Sequence, residues 1–185
     1  MCFGGVDVGS LLYSIILKLP LENVQHLMVG EFIRSTGYQS ETSSLSERLW
    51  CRIFAEASNI QTLAVAGSSA ECLPAALKSC PDDQTMQLSK LRHLKLDSVS
   101  FLTGISVSDG QETEEKREFR QRGECFEALL TMLRHRASLG HRIEKLIVTR
   151  ANSITEMEVF ELAKWVDDLV WDGRTGQDKT ATARD

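Results

Sequence analysis

One pattern, apolar-x-x-apolar-x-x-Leu-x-apolar, limits what this chain can fold into more than any other feature. Its clearest copy is Leu88-Ser89-Lys90-Leu91-Arg92-His93-Leu94-Lys95-Leu96. The stretches Leu21 to Val29 and Ala57 to Val65 match it throughout. Gly140 to Val148 matches with Gly at the first position, and Ala163 to Trp171 matches with Trp at the last. In each copy the final Leu and apolar residue alternate across one residue, the period of a short half-buried strand. The two apolar residues before them are spaced like a turn that feeds it. Five such strands predict a sheet in which Leu27, Leu63, Leu94, Leu146 and Leu169 lie side by side.

The core of the pattern, apolar-x-x-Leu-x-apolar, is the strand signature of a leucine-rich repeat. Its leading residues Val24, Ile60, Leu91, Ile143 and Val166 are 36, 31, 52 and 23 residues apart, whereas regular repeats run about 20–29 residues. Only the last interval fits unaided, and polar segments account for the excess in the others. Residues 34–44 and 81–87 read as loops by composition. Residues 103–118, with Asp109-Gly110 and the run Glu114-Glu115-Lys116-Arg117-Glu118, read as an acidic mobile loop. The expected fold class is α/β: an irregular leucine-rich-repeat-like solenoid, short parallel strands backed by helices, about five repeats. The competing expectation is a set of chance matches inside a generic α/β domain. Residues 1–173 are expected to form a single domain, followed by a polar, patternless tail over 174–185 that reads as disordered. Solenoids normally begin with a unit whose outer face is polar. Met1-Cys2-Phe3 leads straight into an apolar helix, so the sequence reads as an array cut into at its N-terminal side.

Helical spacing fills the intervals. Residues 8–19 carry a stripe of Leu12, Ile15, Ile16 and Leu19, with Asp7 to cap it and Pro20 to end it. Ser44-Leu45-Ser46-Glu47 has the form of a capping box. It precedes a helix expected to bury Leu45, Leu49, Ile53, Phe54 and Ala57, with Trp50 on its shoulder. Residues 69–80 predict a weaker helix with Leu73, Ala76, Leu77 and Cys80 inward and Pro74 in the first turn. Residues 119–139 predict the longest one, with Phe126, Leu129, Leu130, Leu133 and Ala137 inward and a stop at Gly140. Its last turn holds Arg134, His135 and Arg136, which read as a complement to the helix dipole rather than as a phosphate or acidic-peptide site. Thr155-Glu156-Met157-Glu158 is a second capping box, before Val159, Leu162, Ala163 and Val166 at helical spacing. Trp171 reads as a large side chain closing the open end of the core.

Bulk properties exclude several functions. At 185 residues the chain suits one domain with a real interior. A net charge of −5 argues against nucleic acid as a partner, because phosphate binding needs a basic face. The five cysteines (Cys2, Cys51, Cys72, Cys80, Cys125) form no Cys-x-x-Cys pair and read as reduced, buried thiols of a cytoplasmic or nuclear protein. The apolar run at residues 11–19 is too short to cross a membrane, and no Lys or Arg precedes it as a secretory signal requires. Position 2 is Cys rather than the Gly of a myristoylation site, and the C-terminus has no prenylation box. No phosphate-binding loop, dinucleotide glycine motif or His-Glu-x-x-His occurs. Ser68-Ser69 lacks the second glycine of a nucleophile elbow, and the helical setting of Cys125 favours packing over nucleophilic chemistry. No catalytic residue and no cofactor is expected.

What remains is a surface. Strand alternation turns the residues flanking each recurring Leu of the pattern to the face opposite the helices. That face is expected to be concave and to carry His26, Met28 and Gly30; Thr62, Ala64 and Ala66; His93, Lys95 and Asp97; Lys145, Ile147 and Thr149; and Asp168, Val170 and Asp172. Repeat proteins bind partners on such faces, which makes His26, Met28, Thr62, His93, Lys95, Asp97, Lys145, Thr149 and Asp168 the candidate protein-binding residues. The plainer alternative is a set of solvated strand side chains. His26 and His93 meet only across Thr62, and a metal site needs more ligands than this ladder offers.

The order of these motifs resembles a known family. Leu21 to Glu31, Leu91 to Asp97 and above all Arg142 to Gly173, with Ile143-Glu144-Lys145-Leu146, Val148-Thr149 and the closing Trp171-Asp172-Gly173, resemble the C-terminal repeats of F-box-type proteins of mushroom-forming fungi. The resemblance covers most of residues 11–173. It implies a non-catalytic protein–protein interaction module of the kind that recognises substrates for a ubiquitin ligase. In that family an upstream F-box docks on a Skp1-type adaptor. Here no Leu-Pro-x-Glu-Leu segment occurs, and Leu17-Lys18-Leu19-Pro20-Leu21 runs directly into a strand. The adaptor is therefore expected as a partner only if an F-box lies upstream. The alternative expectation is a structural repeat fragment without a specific ligand.

Overall fold

The computed structural model describes residues 19–30, 45–78, 86–101 and 124–173. Five strands, β1 (His26–Val29), β2 (Thr62–Ala66), β3 (His93–Asp97), β4 (Ile143–Thr149) and β5 (Val166–Trp171), form one sheet in chain order with every neighbouring pair parallel. Between them lie α1 (Glu47–Glu56), α2 (Leu73–Lys78), α3 (Glu124–Ser138) and α4 (Glu156–Ala163), with 3-10 turns at Leu21–Asn23 and Gly67–Ala70. The register sets Leu27 beside Leu63, Leu63 beside Leu94, Leu94 beside Leu146 and Leu146 beside Leu169. Val29, Val65, Leu96, Val148 and Trp171 form the second such row.

The same turns bracket the strands. Leu21, Ala57 and Leu88 accept through their carbonyls from the N–H groups of Val24, Ile60 and Leu91 at 3.0, 3.3 and 2.9 Å. This accounts for the three-residue step that opens the first three copies of the pattern. A single carbonyl then serves two donors of the following copy: Gln25 takes Gln61 and Thr62, Gln61 takes Arg92 and His93, and Arg92 takes Glu144 and Lys145, all at 2.8–3.1 Å. Buried backbone polar groups need partners, and here each strand's approach supplies them to the next. On the far side, Gly67, Ser98 and Arg150 follow Ala66, Asp97 and Thr149, which share one register row. All three sit in the left-handed region, at φ +77, +55 and +51°.

Chain-order strands explain why, among the described residues, the helices all pack on one face of the sheet. Crossovers between parallel strands of one sheet turn right-handed, so strands laid down in sequence put every intervening helix on the same side. One buried cluster accordingly joins Leu63, Val65, Leu94, Leu96, Leu146 and Val148 to Trp50, Phe54, Leu77, Phe126, Leu129, Leu133 and Leu162. Each fully buried Leu contributes roughly 1.5–3 kcal/mol.

The helices follow the sequence reading with several corrections. The helix expected over 69–80 starts only at Leu73, after the 3-10 turn, and Val166, expected in the stripe of the last helix, opens β5. The α1 cap is Ser46, whose hydroxyl accepts from the Leu49 N–H, not Ser44; Leu45, just before the cap, is buried. Trp50 is not on the shoulder but fully buried, stacked on Phe54 at 5.4 Å, with its indole N–H donating to the Ser69 carbonyl at 3.0 Å. The 3-10 turn after β2 supplies that acceptor, so the polar end of the ring is satisfied inside the core. Arg136 is 0% exposed, not a solvated partner of the helix dipole. Its guanidinium donates to the carbonyls of Gln87 and Leu88 at 2.9 Å and of Leu91 at 3.4 Å. Ala163 is exposed, because α4 ends there and the chain turns through Lys164 and Trp165 into β5. Elsewhere Pro74 sits in the first turn of α2 and Thr155–Glu158 forms the full capping box. Gly140, at φ +77°, closes α3 while His141 donates to the Arg136 carbonyl, a Schellman ending. The helix expected over 8–19 (its last residue apart), the loops at 34–44 and 103–118, most of 81–87, the tail 174–185, Cys2 and Cys80 lie outside the described residues.

Candidate functional site

The register brings the expected surface residues onto the face opposite the helices, in rows across the strands. His26, Thr62, His93, Lys145 and Asp168 form one row. Met28, Ala64, Lys95, Ile147 and Val170 form the next, and Ala66, Asp97 and Thr149 a third. A Cβ added to Gly30 would lie 3.9 Å from that of Ala66, which places Gly30 beside the third row. The middle row is apolar apart from Lys95. Met28 is 81% exposed and Val170 41%, at the two ends of the row, whereas Ala64, Lys95 and Ile147 between them are half-buried.

Polar contacts tie the outer rows together. Thr62 Oγ1 lies 3.4 Å from His93 Nδ1, so the hydroxyl between the two histidines engages one of them. Lys145 Nζ lies 3.1 Å from Asp168 Oδ2 across β4 and β5. At the approach to the strands, Glu144 stands between Arg92 at 3.5 Å and His93 at 3.9 Å, and Arg142 pairs with Asp167 at 2.9 Å. Arg142 also donates to the carbonyls of Lys164 and Val166 at 3.0 and 2.8 Å. At the opposite end Asp97 accepts from the Thr149 hydroxyl at 3.0 Å and from both the Nε and Nη2 of Arg150. The Arg150 N–H in turn donates to Asp172 at 2.7 Å. The bidentate hydrogen bonding from Arg150, reinforced by Thr149 and Lys95, holds the Asp97 carboxyl below the usual carboxylate range against the opposing effect of burial.

Arg150 and Glu144 are members of this surface that strand alternation does not disclose, since Arg150 lies in the turn after β4 and Glu144, near the start of β4, is not at one of the outward positions. The signal that could have found Arg150 is positional: it is the residue directly after the third row, where the backbone turns left-handed. Cys125 is partly buried against the apolar core, and that burial, with Glu71 and Cys72 nearby, pushes its thiol up to about 12, opposite to the shift a nucleophilic thiolate needs. Cys51, Cys72 and Cys125 are free thiols. Among the described residues no group of three or more His, Cys, Asp or Glu could hold a metal ion, and no helix is long and apolar enough to cross a membrane.

Comparison with known proteins adds nothing to this geometry: no family model matches the chain, and neither a curated protein nor a solved structure matches it.

Proposed function

We propose that this chain is a non-catalytic protein-interaction module. In this reading it is a leucine-rich-repeat-like solenoid whose uncovered sheet face takes a protein partner, as the repeats of F-box-type substrate receptors do. The observation that carries the reading is the row Met28, Ala64, Lys95, Ile147 and Val170, in register across all five strands: apolar around one lysine, exposed at Met28 and Val170 and half-buried at Ala64 and Ile147. Exposed contiguous apolar surface bordered by polar residues is what interaction sites look like. The recurrent turns support the solenoid, because the first four copies of the pattern hydrogen-bond their neighbours in the same way. The free cysteines favour a cytoplasmic or nuclear setting. A Skp1-type adaptor enters the reading only through an F-box upstream of this sequence.

A second reading, a structural repeat fragment without a specific ligand, is favoured by one observation. The charges beside the apolar row are largely closed within the chain, Lys145 on Asp168 and Arg150 on Asp97. Affinity capture separates the two. Lys95→Glu and Lys145→Glu, each checked for an unchanged thermal melt, are compared with the wild-type chain. The binding reading expects a specific captured protein that both variants lose. Capture that neither variant alters would overturn it.

A further inference from the structure

Strand β5 is an edge: among the described residues it pairs with β4 alone. We propose that this edge takes a second copy of the chain, β5 against β5, antiparallel about a two-fold axis at Leu169.

Three observations lead there. First, the core is less covered at this end. Leu169 and Trp171 are only half-buried, whereas Leu146 and Val148, their register neighbours on β4, are 0% and 1% exposed. Second, the residues that would guard an open edge are disarmed. Charged side chains on an edge strand ordinarily discourage pairing, but Asp167 is held by Arg142 at 2.9 Å and Asp168 by Lys145 at 3.1 Å. Third, the backbone is available. Asp172 donates its N–H inward to the Val148 carbonyl at 3.4 Å. Backbone groups alternate sides along a strand, so those of Asp167, Leu169 and Trp171 point away from β4.

Charge then selects the occupant's register. A two-fold axis perpendicular to the sheet makes the strands antiparallel and keeps the helices of both copies on one side. Residues that face each other across such a pair share a face, so Asp168 must face Val166, Asp168, Val170 or Asp172 of the mate. Three of these oppose carboxylates, the first by setting Asp167 against itself. The remaining one, Asp168 against Val170, sets Leu169 against itself on the axis and Asp167 against Trp171. In that arrangement no acid of β5 faces another, and the outward groups of Asp167, Leu169 and Trp171 all find partners. The strand is self-complementary in charge, as an isologous interface requires. The uncovered face of each sheet stays free, so the inference stands independently of the partner proposed above.

The test uses one exposed position and two opposite charges on the full chain. Val170→Lys places an ammonium opposite the mate's Asp168, and Val170→Asp places a carboxylate there, twice per dimer in each case. Both remove the same apolar contact, so any difference between them reads the register. Sedimentation equilibrium is expected to show a wild-type dimer, with Val170→Asp dissociating about tenfold or more readily than Val170→Lys. Amide exchange at Asp167, Leu169 and Trp171 is expected to slow as concentration rises. A chain that stays monomeric at every concentration would overturn the proposal. So would equal effects of the two variants, or concentration-dependent protection at β1 instead of β5.

Discussion

Replacing Arg136 by Met tests the packing logic most severely, because among the described residues it is the one charged side chain that the core fully encloses. The guanidinium donates to the carbonyls of Gln87 and Leu88 at 2.9 Å and more weakly to Leu91 at 3.4 Å. Those carbonyls belong to the turn that launches β3, where Leu88 is held at φ +48°, a conformation a leucine adopts at a cost. Met fills similar volume but donates nothing. Each buried carbonyl stripped of its donor costs about 1–3 kcal/mol, so the two short bonds imply a loss of about 2–6 kcal/mol. Part is returned, because Arg136 is buried without a carboxylate. Burial first, and the charge of Arg92 second, pull its pKa down to about 10, and removing the charge relieves that penalty. The expected net loss is about 2–4 kcal/mol, a fall in Tm of about 5–15 °C for a chain of this size. Arg136→Lys keeps the charge but lacks the fork that reaches several carbonyls at once, so it falls between wild type and Met. Urea and thermal unfolding measure all three. A Met variant as stable as wild type would refute the reasoning, since it would mean that those carbonyls need no donor.

Two further outcomes follow from the same geometry. Leu94→Ala and Leu146→Ala each cost about 2–5 kcal/mol in urea unfolding, whereas Leu27→Ala costs less, because Leu27 is only half-buried at the start of the row. Asp97→Asn lowers stability at neutral pH by about 0.2–1 kcal/mol, the scale of an exposed ion pair. Since the folded carboxyl titrates below its ordinary value, this stabilisation is present above the unfolded carboxylate pKa and is lost as pH falls through the folded one. The gap between wild type and variant therefore closes in acid, as urea midpoints measured against pH will show.

Much of the sheet was legible in the sequence because the pattern carries its own geometry. The step from Leu91 to Leu94 is a turn and the step from Leu94 to Leu96 is a strand, and one slipped residue would turn the leucines to solvent. The same alternation located His26, Met28, Thr62, His93, Lys95, Asp97, Lys145, Thr149 and Asp168 on one face, though nothing in it says whether that face binds. What was not legible depends on partners distant in sequence. Trp50 reads as a shoulder residue until the Ser69 carbonyl arrives from the turn after β2 to take its N–H. Arg136 sits in the last turn of a helix, where a basic residue ordinarily answers the dipole, and only the carbonyls 45 to 49 residues earlier draw it inward. Arg150 belongs to the surface through a left-handed turn that residue type does not announce. The cap at Ser46 rather than Ser44 is a local ambiguity, since both serines precede Glu47 and the burial of Leu45 decides between them.

The central claim is that five leucines stand in one row in chain order, since the uncovered face exists only if they do. Methyl–methyl nuclear Overhauser spectroscopy on leucine-labelled protein tests it directly, because neighbouring strands lie about 4.7–4.9 Å apart. The account predicts contacts linking Leu27 to Leu63, Leu63 to Leu94, Leu94 to Leu146 and Leu146 to Leu169, with none between Leu27 and Leu94. Contacts that skip a member of that series, or link its two ends, would contradict it.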